Sequence, residues 1–121
     1  MSTFIQEIKI DLGAKELYIV WNGPDTFRNA SGPIKWKAHA MSRRLTRGKH
    51  LVNGTSHYHQ PGNCFRFAIY FGRDRTRQFL IHAEGKATAA QEGHGCIAIP
   101  LKEAEKIHRY SKVRKTKVHI S

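Results

Sequence analysis

The sequence predicts a mainly β domain of packed, mixed β-sheets with one short α-helix towards its C-terminal end. Three observations carry that expectation. Apolar residues recur at every second position in several short runs, turn residues cluster between those runs, and only one stretch has helical spacing. The 121 residues show no linker, internal repeat or low-complexity tract, so 1–121 reads as a single domain. At 40% hydrophobic residues the chain has enough apolar side chain for a core, which argues against disorder.

Ile8, Ile10 and Leu12 share one parity, and Leu17, Ile19 and Trp21 share another after the Gly13-Ala14 break, the pattern of an opening hairpin. Asn22-Gly23-Pro24-Asp25 and Ala30-Ser31-Gly32-Pro33 have turn chemistry. Between and beyond them Ile34–Ala40 is expected as a strand, with Ile34, Trp36 and Ala38 on one face. From Ser42 to Asn63 the alternation dissolves into Arg43-Arg44, Arg47-Gly48-Lys49-His50, Asn53-Gly54 and Pro61-Gly62, so a long basic loop is expected there. Such a loop serves either as a binding lid or as a solvated insertion.

Phe65, Phe67, Ile69 and Phe71 alternate with Arg66, Ala68 and Tyr70 and predict a central strand. Phe79-Leu80-Ile81-His82 predicts a short buried strand ending on a histidine, followed by a polar loop over Ala83–Gly93. Gly95–Pro100 is a further small apolar stretch. Leu101, Ala104 and Ile107 lie at helical spacing and predict a helix over Leu101–Tyr110, and Val118 and Ile120 mark a last strand.

Charge narrows the partners. Twenty-one Lys and Arg against 9 Asp and Glu give a formal +12, which suits nucleic acid, an anionic lipid surface or an acidic polymer such as a cell wall. No run of about 18 apolar residues is present, which excludes a helical membrane span. Met1–Lys15 lacks the charged head and apolar block of a secretory signal, so export is expected by another route or through a segment outside this chain. Two cysteines, Cys64 and Cys96, allow at most one disulfide. That is too few for a disulfide-built scaffold and leaves a metal ligand or a nucleophile open.

The segment richest in chemistry runs from Ile81-His82-Ala83-Glu84 to Gly93-His94-Gly95-Cys96. A cysteine nucleophile needs a neighbour that removes its proton or stabilises the thiolate, and a histidine supplies either. It also needs main-chain N–H groups aimed at the developing oxyanion, and glycine just before the nucleophile lets the backbone come close to a substrate. Gly95-Cys96 meets both needs. The same residues are also compatible with a buried, inert Cys96.

His82 and Gly93-His94-Gly95-Cys96-Ile97 resemble the signature of the L,D-transpeptidase (YkuD-like) catalytic domain, in which a histidine precedes a Ser/Thr-His-Gly-Cys box. Ile8–Leu12 with Glu16–Val20 resembles that family's opening hairpin, and the helix from Leu101 with Lys117–Ile120 resembles its closing helix and strand. The resemblance implies a YkuD-like β-sandwich with the helix placed after the nucleophile. It implies a cysteine acyl-transferase acting on peptidoglycan stem peptides, as an L,D-transpeptidase or L,D-carboxypeptidase, through a thioester and without metal or cofactor. Cys96 takes the nucleophile position, His82 the base, and the Ala83 carbonyl the group that orients the imidazole. The Gly95 and Cys96 amides take the oxyanion hole, and His94 and Gly93 shape the site.

Gly93 stands where the family has Ser or Thr, and Ala98 where a polar Asn or Arg commonly follows the cysteine. The short spacer after His82 and the Cys-Ile-Ala-Ile-Pro ending resemble compact toxin-type members delivered between bacteria. Such members imply an immunity protein or a secretion apparatus as partners and a site of action in the periplasm or cell wall. The basic charge then reads as attraction to acidic wall polymer, with Arg43–Lys49 and Lys112–Lys117 as contact stretches.

Three other readings compete. His82-Ala83-Glu84 matches half of a zinc deaminase motif whose Pro-Cys-x-x-Cys half is missing. Zinc held by some of His57, His59, Cys64, His82, His94 and Cys96 lacks two tight ligand pairs. A nucleic-acid-binding module would use Arg43, Arg44, Arg47, Lys49 and Lys112–Lys117 on phosphates, with Tyr58, Trp36 or Tyr110 stacking bases. No standard nucleic-acid-binding motif supports it.

Overall fold

The alternation at the start of the chain becomes a hairpin of β1 (Ile5–Asp11) and β2 (Glu16–Trp21), antiparallel, with Ile8 opposite Ile19 and Ile10 opposite Leu17. The computed structural model describes residues 4–22, 33–36, 47–58, 66–71, 79–83 and 95–121, with 57, 58, 66, 79, 95 and 96 described by their backbone. In the turn of the hairpin the Ala14 N–H donates to Asp11 Oδ1 at 2.9 Å, and Lys15 takes a left-handed φ of 56°.

β3 (Ile34–Lys35) extends the sheet beyond β2, where Lys35 Nζ lies 2.6 Å from Glu16 Oε2. That ammonium holds the Glu16 carboxyl below its ordinary range. Trp36 follows the strand, its N–H donating to the Lys15 carbonyl, and at 5% exposure it belongs to the core. It therefore does not offer the exposed stacking surface that the competing nucleic-acid-binding reading would use. Positions 37–40 of the expected Ile34–Ala40 strand lie outside the described residues.

The largest departure from expectation is β4 (Gly48–Tyr58), an 11-residue strand within what the sequence presents as a long basic loop. Its side chains hide it. Among the residues with described side chains only Val52 is fully buried, while Lys49, Leu51, Asn53 and Thr55 are exposed. What makes it a strand is pairing on both sides. Gly48–Leu51 pairs antiparallel with β8 (Lys117–Ile120), and Val52–Tyr58 pairs antiparallel with β5 (Arg66–Phe71). A bulge between Val52 and Gly54 lies where the strand passes from one partner to the other. Gly48 opens the strand at φ 125°, a conformation that L side chains rarely adopt.

β6 (Phe79–Ala83) pairs antiparallel with β5, and β7 (Gly95–Ile99) pairs parallel with β6. α1 (Leu101–Tyr110) then carries the chain back to β8, which lies parallel to β1. The strand order is β3-β2-β1-β8-β4-β5-β6-β7, a mixed and nearly closed sheet whose two halves pack as a β-sandwich through the shared β4.

One core fills the sandwich. Ile8, Ile10 and Leu17 from the first half meet Val52, Ile69, Phe71, Ile81, Ile97 and Ile99 from the second, and Ala104 and Ile107 of α1 join them. Leu101, expected on the same apolar stripe, is 43% exposed because it sits at the first helical position. Glu103 in the first turn and His108 and Arg109 in the last complement the helix dipole.

Thr116 fastens the turn before β8 to β1. Its hydroxyl is fully buried, donates to the Ile5 carbonyl at 2.6 Å and accepts the Lys112 N–H at 2.8 Å. Thr116→Val keeps the shape but strands both groups, and is expected to lower unfolding free energy by about 2 kcal/mol. Urea denaturation at constant m-value measures this, and an unchanged midpoint would show that water replaces both bonds.

Candidate active site

β5 and β6 are buried on both faces, so neighbouring residues serve different surfaces. Ile69, Phe71, Ile81 and Ala83 point into the main core, as do Ile97 and Ile99 of β7. The opposite parity carries Ala68 and Tyr70 on β5 and Leu80 and His82 on β6, and Ala68, Leu80 and Tyr70 form a second, smaller cluster. His82 is a polar residue buried to 2% exposure on that face.

The His82 ring is held by its own strand: Nδ1 lies 2.8 Å from the Ala83 carbonyl oxygen. A carbonyl can only accept, so Nδ1 carries the proton and donates it. The neutral imidazole then has its lone pair on Nε2, which is itself buried. This is the tautomer a general base needs.

β7 brings Cys96 to the same region of the sheet. In the parallel register Leu80 is opposite Cys96 and His82 is opposite Ala98, so Cys96 and His82 occupy positions of one parity, a diagonal step apart. From strand rise and strand spacing that step is about 8 Å between α-carbons. Gly95 opens β7 immediately before it, and α1 begins two residues after its end. Gly93, His94, Cys64 and His59 lie outside the described residues, and His57 lies on β4. Among the described residues no group of three or more His, Cys, Asp or Glu is placed to hold a metal ion. Among them, too, no helix is long and apolar enough to cross a membrane.

Two polar residues that the sequence reading did not assign to the site, Ser56 and Tyr70, share this face. Gly54 of β4 is opposite Tyr70, and Ser56 is opposite Ala68. Ser56 hydrogen-bonds the Tyr70 phenol. Burial raises the Tyr70 pKa above its ordinary value, and the bond to Ser56 opposes that shift. The signal was present in the alternation of β5, where Tyr70 falls on the parity opposite to Ile69 and Phe71. Only the strand pairing gives it a serine partner.

Near this face the backbone carries an outlier. Phe67 has φ 53°, a conformation costly for a bulky side chain, beside Ala68 on β5. Its ring meets His108 of α1 edge-on with centroids 5.4 Å apart, a contact that ties the strand to the helix following β7.

Solved structures share the fold of this chain over nearly its whole length. An L,D-transpeptidase (Yku) from Stackebrandtia nassauensis superposes with TM-score 0.65 at 11% identity, over 100% of this chain and 56% of that one. The Bdellovibrio bacteriovorus protein Bd1075 matches with TM-score 0.66 at 14% identity, over 98% and 48%. A fused Zn-dependent amidase/peptidase/peptidoglycan-binding domain-containing protein from Clostridium acetobutylicum ATCC 824 matches with TM-score 0.55 at 18% identity, over 98% and 51%. This chain thus spans about half the length of each. No family model and no curated protein matches the sequence.

Proposed function

We propose that the chain is a cysteine acyl-transferase of the L,D-transpeptidase type, acting on peptidoglycan stem peptides in the wall or periplasm. The observation that carries this reading is His82. It is buried, its Nδ1 donates to the Ala83 carbonyl, and it lies on an adjacent parallel strand at the same parity as Cys96. The shared fold with a solved L,D-transpeptidase supports the same reading.

In this mechanism His82 Nε2 takes the Cys96 proton, and the thiolate attacks the carbonyl carbon of an L-residue joined to a terminal D-residue. The Gly95 and Cys96 amides receive the oxyanion. The C–N bond breaks, the imidazolium returns its proton to the departing amine, and a Cys96 thioester remains. An acceptor amine or water then attacks the thioester, giving its proton to His82, and the thiol is released. In this reading His94 and Gly93 keep the site-shaping role that the family resemblance implies.

A carbapenem mimics the donor stem, and its strained ring opens on the nucleophile without losing an atom. Intact mass should therefore rise by one whole drug molecule, and peptide mapping should locate the adduct on Cys96. Absence of any adduct, or an adduct on another residue, would overturn the assignment. Muropeptide products from purified sacculi then separate transfer to an amine from hydrolysis.

A further inference from the structure

Two basic stretches far apart in sequence become neighbours in the sheet. β4 and β8 pair antiparallel, with Lys49 opposite His119 and Leu51 opposite Lys117. The turn leading into β8 lies against β4, the Arg114 N–H donating to the Val52 carbonyl at 2.8 Å. Residues 47–58 and 111–121 contain no Asp or Glu. The band they form exposes Arg47, Lys49, Arg114, Lys115 and Lys117. On its β1 side Glu7 stands opposite Lys117, and Lys9 opposite His119.

The band continues into the candidate site. Val52 faces the core, so Lys49 and Leu51 lie on the outer surface of β4, and past the bulge that surface carries Gly54 and Ser56 opposite Tyr70 and Ala68. The same side of the sheet thus runs from β8 through β4 and β5 to His82 on β6, exposed at the band and buried at Ala68, Leu80 and His82. Cations at neighbouring strand positions are about 5 Å apart across the sheet and about 7 Å along it. Anions on a chain of repeating units can engage several at once, and clustered charge raises their local concentration.

We propose that this band binds the carboxylates of peptidoglycan stem peptides and holds the polymer on the sheet face that carries His82 and Cys96. The identity of the polymer rests on the function proposed above; the surface itself rests on the strand pairing and the charge.

The test is co-sedimentation with purified sacculi stripped of phosphodiester polymers, at low and high salt, beside turnover of a soluble stem tetrapeptide. Wild-type protein should bind stripped sacculi and release with salt. Lys49→Glu/Lys117→Glu, with a wild-type melting temperature, should lose affinity for stripped sacculi at least about tenfold. The neutral pair Lys49→Gln/Lys117→Gln, with a wild-type melting temperature, should fall in between. Equal binding by the variants overturns the proposal. So does wild-type binding that needs the phosphodiester polymers, or tighter binding to an oligonucleotide than to stripped sacculi. Failure of wild type to turn over the soluble peptide counts against the catalytic reading alone, because the binding arm still decides the surface.

Discussion

Cys96→Ala is expected to abolish acylation by a carbapenem, and His82→Gln to slow it by about 10²–10⁴-fold, the usual contribution of a positioned general base. Glutamine keeps an N–H donor for the Ala83 carbonyl but has no group that titrates near neutrality, so packing is largely retained while proton transfer is lost. A residue that merely filled the space beside Leu80 would change stability and leave the chemistry alone. The discriminating readout is the pH profile of thiol alkylation. In wild type the thiolate should be present well below the ordinary cysteine pKa of about 8.5, and in His82→Gln its profile should move up to that value. Coincident profiles for the two proteins would remove His82 from the mechanism. Persistence of the adduct in Cys96→Ala would remove the nucleophile.

Ile107→Ala is expected to cost about 3 kcal/mol of folding free energy, a large share of the 5–15 kcal/mol typical of a domain. Ile107 is fully buried and joins α1 to Ile69, Phe71 and Ile81 in the core. Those residues lie on the core side of the two strands whose other parity carries Tyr70 and His82. Removing the side chain leaves a cavity beneath the candidate site as well as losing apolar burial. Calorimetric or urea unfolding measures the loss. A change under about 1 kcal/mol would mean that α1 collapses onto the strands and closes the space.

Elements whose own side chains repeat with a clean period were legible. The β1–β2 hairpin has Ile8, Ile10 and Leu17 buried, and α1 spans Leu101–Tyr110 as its spacing predicts. β4 was not legible, because its alternation is of lysine, asparagine and threonine against valine, glycine and serine. Its strand character comes from ladders supplied by β8 and β5. Trp36 failed in the opposite sense: an aromatic beside basic residues suggests a stacking surface, whereas β3 turns it into the core. His82 and Cys96 were distinguishable by residue type and flanking glycine, but nothing local shows that their strands are adjacent, parallel and in a register of common parity. Ser56 and Tyr70 are joined across strands in the same way and had no local signal as a pair.

The sequence by itself determined the β-rich class, the helix over Leu101–Tyr110, the excess of cations and the presence of a histidine and a glycine-flanked cysteine. These follow from side-chain period and residue chemistry, which act between neighbours along the chain. Tertiary structure alone decided that the basic segment before residue 58 is a central strand and that it meets the basic turn before β8. It also decided that one side of the sheet runs from that band to the buried His82. The reason is that backbone pairing between strands is non-local. A segment with few apolar residues satisfies its N–H and C=O groups, and so becomes a strand, when distant strands stand on both sides of it.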